Sequence, residues 1–328
     1  MKAAYYERTG PAAEVLVLGE MPDPQPGPGE VRIRLQWSGV NPSDVKSRGG
    51  LRPGPMPFPR VVPHSDGAGI IDSVGAGVPR ERTGERVWVW NAAWGRPWGT
   101  AAQYITLPSH QAVALPERVA LDAGACFGIP ALTALHAVEC HGGVRNRNVL
   151  IAGGAGAVGH YAVQFARLQG AHKVLATVSS PEKATLALDA GADIAIDYRR
   201  DDVLGVVRSH TGGVGVDRVI EVDIAANGML DVELLRPGGE VVVYGSGSRE
   251  FALTFLPLIA RNVSLHFFIV YNLAPEDRQR AQSALTALLV EGRLKHNIAQ
   301  RMPLSQIVAA HELVESGRVV GNVVLDVD

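Results

Sequence analysis

The segment VVPHSDGAG places His64 two residues before Asp66, immediately ahead of a Gly-Ala-Gly turn. An imidazole and a carboxylate this close together are typical of a metal site or of acid–base chemistry. A zinc site needs three or four converging nitrogen, sulfur or carboxylate ligands, so these two residues do not define one by themselves. Their meaning depends on which side chains the rest of the chain brings to them.

A second chemically informative stretch is a glycine-rich loop that follows an apolar run. Gly154, Gly156 and Gly159 satisfy the spacing G-x-G-x-x-G, with Ala157 and Val158 between the last two. In this pattern one glycine permits a tight turn, one lets backbone N–H groups approach a pyrophosphate, and one allows close helix–strand packing. Because a strand precedes the loop and a helix follows it, the sequence predicts dinucleotide phosphates at the helix N-terminus. The alternative is a merely compact strand–helix turn.

The tip of the next predicted strand indicates which dinucleotide binds. An NAD site usually has an acidic residue there, bonded to the ribose hydroxyls. Here KVLATV runs into SSPEK, so that Ser179 and Ser180 could donate to a 2′-phosphate and Lys183 could pair with its charge. Tyr198, which closes the following strand, would flank the same group. The sequence therefore predicts NADPH rather than NADH, with a solvated helical lysine as the alternative for Lys183.

Composition narrows the class of protein. The chain has 328 residues, more than one hydrophobic core usually serves, and 46% of them are hydrophobic. Its net charge of −2 comes without a basic block, so nucleic acid is not an expected partner. Cys126 and Cys140 are the two cysteines and are expected to be free thiols in a reducing compartment. Because the N-terminus lacks the apolar core of a signal peptide, we expect a cytoplasmic protein that does not enter a membrane.

The pattern of elements changes near Leu121. Before it, short strands such as EVRIRLQWSGV (30–40) are separated by Gly- and Pro-rich turns. After it, strand-like runs alternate with helical stretches up to about residue 264, which predicts a parallel sheet covered by helices. An amphipathic helix follows residue 272, and GNVVLDV (321–327) is predicted to be a strand that returns to the first domain. We therefore expect an α/β chain in which residues 1–121 and 265–328 form one domain around a doubly wound domain at 122–264.

These features, together with SGVNPSD, HSDGAG, FGIPALTAL and GAGAVG, make the chain similar over essentially its whole length to the medium-chain dehydrogenase/reductase superfamily. Within it, the chain most resembles the zeta-crystallin-like quinone oxidoreductases. The resemblance implies a GroES-like, β-rich catalytic domain interrupted by a Rossmann domain. In relatives a strand similar to VSLHFFIVYN (263–272) pairs across a two-fold axis, so we expect a homodimer or a tetramer.

The same resemblance bears on the question that His64 raises. In the zinc alcohol dehydrogenases of this superfamily, the ligand positions correspond here to Asn41, Ser65 and Ile129. His64 takes the place of the glycine in the family's Gly-His-Glu motif, and Asp66 takes that of the glutamate. Asn, Ser and Ile do not build a zinc site, so we expect no metal. Hydride delivery to an electron-poor acceptor, such as a quinone or an α,β-unsaturated ketone, is the chemistry that needs least help from the protein.

The resemblance also implies roles for the catalytic loop. Asn41 would face the nicotinamide ribose or the substrate carbonyl, Asp44 would hold the loop together rather than move protons, and Thr133 would contact the cofactor near the nicotinamide. A turn residue before Pro42 is the structural alternative for Asn41, and a helix-interior threonine is the one for Thr133. Lys46 stands where relatives often have tyrosine, which argues against a proton relay at this position.

Further cofactor contacts are implied in the second half of the chain. They are at Gly245 and Ser246 after the strand EVVVYG, at Phe268 and Val270 in HFFIV, and less directly at Asn322, where relatives often carry lysine.

The substrate pocket is expected to be bordered by Asn41, Lys46, His64 and a loop with Trp94 and Trp98, whose rings would stack on a planar acceptor. Core or interface packing is the alternative for these tryptophans. The sequence thus predicts an NADPH-dependent, zinc-independent quinone reductase. The alternatives are an enone or 2-alkenal reductase that uses the same hydride, and a non-catalytic NADPH-binding protein of the crystallin type.

Overall fold

The computed structural model describes residues 1–51 and 55–328. The chain divides into two compact units, Met1–Pro130 with Thr286–Asp328, and Ala131–Leu285. Both boundaries lie later in the sequence than the predicted ones after residues 121 and 264. At the second boundary the reason is clear, because the strand Ser264–Phe267 is hydrogen-bonded into the sheet of the second unit.

The helices and strands of the described residues follow one another along the chain. In order, they are β1 (Lys2–Tyr5), α1 (Ala12–Val15), β2 (Val17–Glu20), β3 (Glu30–Val40), α2 (Pro42–Arg48), β4 (Asp66–Val74), β5 (Arg86–Val89), β6 (Tyr104–Pro108), β7 (Ala112–Ala114), α3 (Leu121–Gly124), α4 (Leu132–Glu139), β8 (Asn148–Ile151), α5 (Ala157–Leu168), β9 (Lys173–Val178), α6 (Pro181–Asp189), β10 (Ile194–Asp197), α7 (Val203–His210), β11 (Val216–Glu221), α8 (Ile224–Leu234), β12 (Leu235–Val243), α9 (Phe255–Arg261), β13 (Ser264–Phe267), α10 (Pro275–Glu291), β14 (Ile298–Pro303), α11 (Ile307–Glu315) and β15 (Asn322–Asp326).

The first unit is organised around β3. This strand alternates buried apolar residues such as Ile33 and Leu35 with more exposed polar ones, as a strand that covers a core with one face does. It pairs antiparallel with β4, β6 and β15 in a seven-stranded sheet. The predicted return of the closing strand to this domain is therefore confirmed. Val323 and Leu325 of that strand lie in the same buried cluster as Ile33 and Leu35.

The second unit is a parallel sheet of six strands in the order β10-β9-β8-β11-β12-β13. The chain starts at the central strand β8, moves outward through β9 and β10, and then crosses to β11 and moves outward the other way. The strand order thus reverses between β8 and β11, and open sheets of this kind bind ligands at the carboxyl ends of the strands at such a point. The predicted doubly wound parallel sheet is confirmed.

Within residues 1–51 and 55–328, none of the helices combines the length and the apolar character that a bilayer span requires.

Candidate active site

The predicted glycine loop lies between β8 and α5, at the reversal point of the parallel sheet. Gly153 has a φ of +67°, a left-handed conformation that favours glycine. Its N–H donates to Thr177 Oγ1 (3.1 Å), and the N–H of Gly156 donates back to the Gly153 carbonyl (2.9 Å). The tight turn therefore depends on Gly153, which the motif spacing did not single out, and on a threonine of β9.

The three motif glycines have different reasons to lack a side chain. A Cβ at Gly159 would overlap the Gly153 carbonyl oxygen, and one at Gly154 would lie 2.5 Å from the Cβ of Ala176 on β9. A Cβ at Gly156 would meet only the Gly153 carbonyl oxygen, at 3.2 Å. Gly154 and Gly159 are thus required by the packing of the protein itself. Gly156 precedes the first turn of α5, whose N–H groups have no acceptor within the helix, so its open side is the one that suits a bound phosphate.

The structure brings the four residues predicted to contact a 2′-phosphate to one edge of the sheet. Lys183 Nζ donates to Ser179 Oγ (2.9 Å), and Ser180 Oγ accepts a hydrogen bond from the Lys183 backbone N–H (3.3 Å) as the N-cap of α6. Tyr198 follows β10, its N–H donates to the Val178 carbonyl (3.1 Å), and its side chain is exposed. Two hydroxyls and an ammonium group thus lie at the carboxyl end of β9, and the backbone of Tyr198 is bonded to the same strand end.

Two charged residues at this edge were not predicted. Glu182 hydrogen-bonds the Ser180 hydroxyl, which lowers the pKa of that carboxyl, and the charge of Arg200 acts in the same direction. Arg200 Nε also lies 3.7 Å from Asp197 Oδ2. A phosphate at Ser180 would have to displace Glu182, whereas Arg200 would add to its attraction. The sequence signal for Arg200 was the pair of arginines that follows Tyr198.

Glu221, the last residue of β11, shares a hydrogen bond with a second acid, Asp231 of α8. Glu221 Oε1 accepts from the backbone N–H of Asp223 and from Asn227 Nδ2 (3.0 Å), which ties the strand end to the start of α8. The carboxyls of Glu221 and Asp231 bond each other, so one of them must keep its proton. Burial and the neighbouring Glu221 raise the pKa of Asp231 to about 9. Asp231 is therefore the protonated member at neutral pH.

Gly245 and Ser246, two of the residues predicted to contact the cofactor, lie in the segment after β12. A Cβ at Gly245 would overlap the Val222 carbonyl oxygen, so glycine allows the loops after β11 and β12 to approach each other. Ser246 Oγ donates to the Ser248 carbonyl (2.7 Å) within its own exposed turn.

The predicted strand at 263–270 is shorter than expected. It ends at Phe267, because Val270 begins a 3₁₀ turn that runs to Asn272. The Phe268 N–H still donates to the Val243 carbonyl (3.2 Å), and the Val270 carbonyl accepts from the Arg278 guanidinium (2.5 Å).

His64 lies in the first unit, fully buried, with a left-handed φ of +78°. Its Nδ1 is 2.8 Å from Ser38 Oγ and its Nε2 is 2.9 Å from Nε2 of His311. Ser38 Oγ is in turn 2.8 Å from Thr100 Oγ1, which donates to the backbone carbonyl of Asp66. Burial lowers the pKa of His64, and it lowers that of His311 to about 3. Both imidazoles are therefore neutral.

Each group in this chain of hydrogen bonds has one proton to donate, so donation can run in only one direction along it. Thr100 donates its proton to the Asp66 carbonyl, so Ser38 must donate to Thr100 and His64 Nδ1–H must donate to Ser38. His64 Nε2 then accepts from His311 Nε2–H. This leaves His311 Nδ1 as a bare acceptor, and it has no partner among the described residues. Both ring nitrogens of His64 are bonded within the protein, so neither is available to a substrate in this arrangement. Its place at the border of the substrate pocket stays a prediction.

Asn41 and Asp66 meet directly in the first unit. Asn41 Nδ2 donates to Asp66 Oδ2 (3.0 Å), and the same oxygen accepts from the Ile129 N–H (3.1 Å). The Asn41 N–H donates to Asp44 Oδ2 (2.8 Å), so Asp44 caps the start of α2. Burial raises the pKa of Asp66 well above its usual range, and the nearby charge of Asp44 adds to this.

This arrangement does not fit a zinc ion. Of the three residues at the ligand positions, Asn41 is bonded through its amide nitrogen, Ser65 offers a hydroxyl, and Ile129 contributes its N–H to Asp66. Across residues 1–51 and 55–328, no three His, Cys, Asp or Glu side chains form a group that could hold a metal ion.

The remaining predicted residues are spread over both units. Thr133 is buried in α4, and Lys46 is half-buried in α2. Asn322 begins β15, where its Nδ2 donates to the Asn297 carbonyl (2.9 Å), so its amide serves the strand contact. Trp94 is half-buried, whereas Trp98 is exposed.

Trp98 lines a pocket of the first unit that was not predicted. The pocket is formed by the N-terminal segment and β6, with Met1, Met21, Val62, Trp98, Ala102, Tyr104 and Ile105 as its apolar lining. The grouping of Trp98 with Asn41, Lys46 and His64 around a substrate stays a prediction.

Comparison with known proteins covers the whole chain. The family model described as alcohol dehydrogenase GroES-like domain matches residues 27–117, and the one described as zinc-binding dehydrogenase matches residues 157–288. Human quinone oxidoreductase is 31% identical over 315 residues, which are 95% of this chain and 93% of that protein. The 2-haloacrylate reductase of a Burkholderia species is 30% identical over 341 residues, 99% of this chain and 98% of that one.

Solved structures agree over the same length. A structure of an NAD-dependent alcohol dehydrogenase has a TM-score of 0.91 and 30% identity and covers 100% of both chains. Escherichia coli quinone oxidoreductase complexed with NADPH has a TM-score of 0.86 and 25% identity and covers 99% of this chain and 100% of that one.

Proposed function

Because this chain belongs to the medium-chain dehydrogenase/reductase superfamily, and within it to the zeta-crystallin-like quinone oxidoreductases, we propose that it reduces quinones with NADPH. In the net reaction a quinone, NADPH and a proton give a hydroquinone and NADP⁺. The observation that carries the proposal is the glycine loop at the reversal point of the sheet, in a chain similar along its full length to quinone oxidoreductases.

We assign the first unit as the catalytic domain and the second as the cofactor domain. Ala157 and Val158 would hold the pyrophosphate through the N–H groups of the first turn of α5, which have no acceptor within the helix. Gly156, whose own N–H is bonded to the Gly153 carbonyl, would let the phosphate approach because it has no side chain. Bound NADPH supplies a hydride to an electron-poor acceptor. On the protein side, Asn41 and Thr133 are proposed to contact the nicotinamide end.

The preference for NADPH over NADH rests on the edge of β9. Ser179 and Lys183 already form a hydrogen-bonded pair there, and a 2′-phosphate would accept from both. Glu182 works against this preference while it occupies the Ser180 hydroxyl. An NAD-dependent alcohol dehydrogenase is among the similar structures, so the residues at this edge, rather than the fold, carry the preference.

A quinone suits the first unit because its reduction needs no placed proton donor. His64 is neutral and has both nitrogens bonded, and among the described residues no zinc site polarises a carbonyl. A reaction that needs a placed proton loses typically 10²–10⁴-fold without one. The oxygens of a reduced quinone are stabilised by the ring and can take protons from water. Quinones are therefore expected to turn over faster than simple 2-alkenals.

An acceptor panel tests this proposal. NADPH oxidation is followed with a series of quinones, straight-chain 2-alkenals, saturated aldehydes and alcohols under identical conditions. We expect the highest kcat/KM with quinones and no turnover of saturated aldehydes or alcohols. Faster turnover of 2-alkenals than of quinones would overturn the assignment of the acceptor. NADPH binding without turnover of any acceptor would favour the non-catalytic alternative.

Reduction of an activated carbon–carbon double bond is the second candidate. It is favoured by the similarity to 2-haloacrylate reductase, which extends over nearly the whole of both chains. Such a reaction places the hydride on carbon, so deuterated NADPH would leave a stable C–D bond in the product. With a quinone as acceptor, the label would be lost to water from the hydroquinone oxygens.

We also propose that two copies pair through the second unit. The edge strand β13 pairs with β12 alone among the described strands, and next to it α9 exposes Phe255 (66%) and Leu256 (70%). An exposed apolar helix beside an open strand edge is typical of an interface. Light scattering should give a dimer or a tetramer for the wild type and a smaller species for Leu256→Asp. A monomeric wild-type protein would contradict this.

A further inference from the structure

Another cavity of the first unit is lined by residues to which the proposed reaction gives no role. Its volume is about 400 Å³, and its lining comes from two segments that are far apart in the sequence, residues 118–123 and residues 289–301. Both segments belong to the first unit. The volume lies at the small end of the range for ligand pockets, which is about 300–1,000 Å³. Because Arg118 and Arg301 both line this cavity, we call it the arginine cavity.

The two arginines have N–H groups left over for a ligand. Arg118 Nη1 donates to the Val290 carbonyl (2.9 Å) near the end of α10, and Arg301 Nε donates to Asp122 Oδ2 (2.7 Å). A guanidinium has five N–H donors in a planar fork. Nε and Nη2 of Arg118 and both Nη atoms of Arg301 have no partner among the described residues. Each arginine therefore keeps an open edge.

Gly292 allows Arg118 to take its position. It follows α10 with a left-handed φ of +67°, and a Cβ there would lie 2.3 Å from Nη2 and 2.4 Å from Cζ of Arg118. A side chain at this position would push the guanidinium away from the end of the helix. The guanidinium is therefore held by one hydrogen bond and by the backbone beneath it. A cation that is already positioned loses less conformational entropy when it binds a ligand.

The charges that line the arginine cavity do not cancel. Asp122 is its acidic residue, and both carboxylate oxygens are bonded, Oδ2 to Arg301 and Oδ1 to the Ala123 N–H (2.7 Å). Burial lowers the pKa of His296 to about 4, so its ring is neutral at pH 7 and adds no charge. Two guanidinium groups against one carboxylate leave one positive charge unbalanced, which suits a ligand with a single negative charge.

The rest of the wall is apolar. The ring of His296 packs against Phe127, with 5.2 Å between the centroids. The apolar lining residues are Val119, Ala120, Ala123, Leu289, Leu294 and Ile298. A matching ligand needs an apolar body together with an anionic head. Of the anionic groups, a carboxylate has two coplanar oxygens that fit the planar fork of an arginine.

We propose that the arginine cavity binds a small organic carboxylate, with its head on Arg118 and Arg301 and its apolar chain against the aliphatic wall. The site is independent of the proposed quinone reduction, because it requires neither NADPH nor a quinone. The small volume favours a short chain over a long-chain fatty acid.

Isothermal titration calorimetry of the full chain without NADPH tests this proposal. The probes are butanoate, hexanoate and octanoate, with octanamide as an uncharged analogue and inorganic phosphate as an anion that has no apolar chain. We expect one carboxylate per chain and an affinity that rises about fourfold with each added methylene group. Octanamide and phosphate should bind much more weakly than octanoate.

Two substitutions should change the affinity for octanoate in opposite directions. Arg118→Met keeps an apolar stem but removes the charge, so it should weaken binding by roughly 10- to 100-fold. Asp122→Asn removes the opposing charge and keeps an oxygen for the Ala123 N–H, so it should tighten binding severalfold. The matched control is Arg34→Met, because Arg34 is an exposed arginine on β3 of the same unit. It should leave octanoate binding unchanged, and all three variants should bind NADPH as the wild type does.

A conservative variant covers the case in which Arg118→Met does not fold. Arg118→Lys keeps the positive charge at the end of α10 but loses the planar fork, so it should weaken octanoate binding by a smaller factor than Arg118→Met. Equal octanoate affinity in the wild type and in the folded Arg118 variants would overturn the proposal.

Three further results would also overturn it. Weaker binding in Asp122→Asn would contradict the charge balance, and octanamide that binds as tightly as octanoate would show that the arginines do not select an anion. Phosphate that binds as tightly as octanoate would show that the apolar wall is not used. A wild-type chain that binds none of the carboxylates would overturn the site and leave the proposed function intact, since that function is tested by NADPH oxidation.

Discussion

Replacing Asp231 by asparagine should stabilise the protein at neutral and alkaline pH. Asp231 shares a hydrogen bond with Glu221 and keeps its proton in the folded state, with a pKa raised from 3.8 to about 9 by burial and by Glu221. In the unfolded chain the same carboxyl loses its proton near pH 4. An asparagine amide donates to Glu221 at every pH and removes the need for this proton.

The sign and size of the effect follow from proton linkage. Between about pH 4 and pH 9 the folded state binds one proton more than the unfolded state, so the free energy of unfolding falls by about 1.4 kcal/mol for each pH unit of increase. This corresponds to a loss of about 4 kcal/mol at pH 7 relative to acid conditions. Asp231→Asn should recover up to this amount, which raises the unfolding midpoint by several degrees and by at most roughly 15 °C.

The assay is thermal unfolding followed by circular dichroism at about pH 5, 7 and 8.5. The difference between Asp231→Asn and wild type should grow with pH across this series. Glu233→Gln is the matched control, because Glu233 is an exposed carboxylate on the same helix, α8. An Asp231→Asn variant that is less stable than wild type by the same amount at every pH would refute the shared proton.

Four further predictions concern the cofactor and the absence of metal. Gly156→Val should fold, since a side chain there meets only the Gly153 carbonyl at 3.2 Å, but it should lose NADPH binding; unchanged affinity in the folded variant would show that another loop holds the phosphates. Lys183→Ala should weaken NADPH binding by roughly 10- to 100-fold and leave NADH binding nearly unaffected. An equal effect of Lys183→Ala on both cofactors would contradict the assignment of Lys183 to the 2′-phosphate. Glu182→Gln should strengthen NADPH binding, because it removes the negative charge beside Ser180. Dialysis against a strong chelator should leave activity intact, and activity that returns only with added zinc would contradict the interpretation of Asn41, Ser65 and Ile129.

Local patterns in the sequence were sufficient to predict the helices and strands and the residues that lie at the end of β9. The alternation in 30–40 predicted β3 with its observed bounds, because each residue of a half-buried strand carries the signal. Ser179 and Lys183 flank the predicted junction of β9 and α6, so the sequence indicated that both lie at the same strand end, and the structure adds the hydrogen bond between them. The end of the strand at 263–270 could not be predicted from the sequence, because the Arg278 guanidinium holds the 3₁₀ turn that begins at Val270.

Contacts between distant segments were not predictable from the sequence. His64 and His311 are 247 residues apart, and nothing near His64 indicates that its second nitrogen is taken. For that reason the sequence offered His64 as a free polar group for the substrate, whereas the structure bonds both of its ring nitrogens within the protein. Asp231 is likewise an ordinary helical acid in the sequence, and only its burial against Glu221 makes it an acid that keeps its proton.

The central claim is that this chain passes electrons from NADPH to a quinone, and a single-turnover measurement without oxygen tests it most directly. Protein saturated with NADPH is mixed with one equivalent of a quinone, and the near-ultraviolet absorbance of NADPH is followed together with hydroquinone formation. The account predicts that NADPH disappears and that hydroquinone forms in equal amount, while the same experiment with NADH is slower. NADPH that stays bound and unoxidised in the presence of quinone would contradict it.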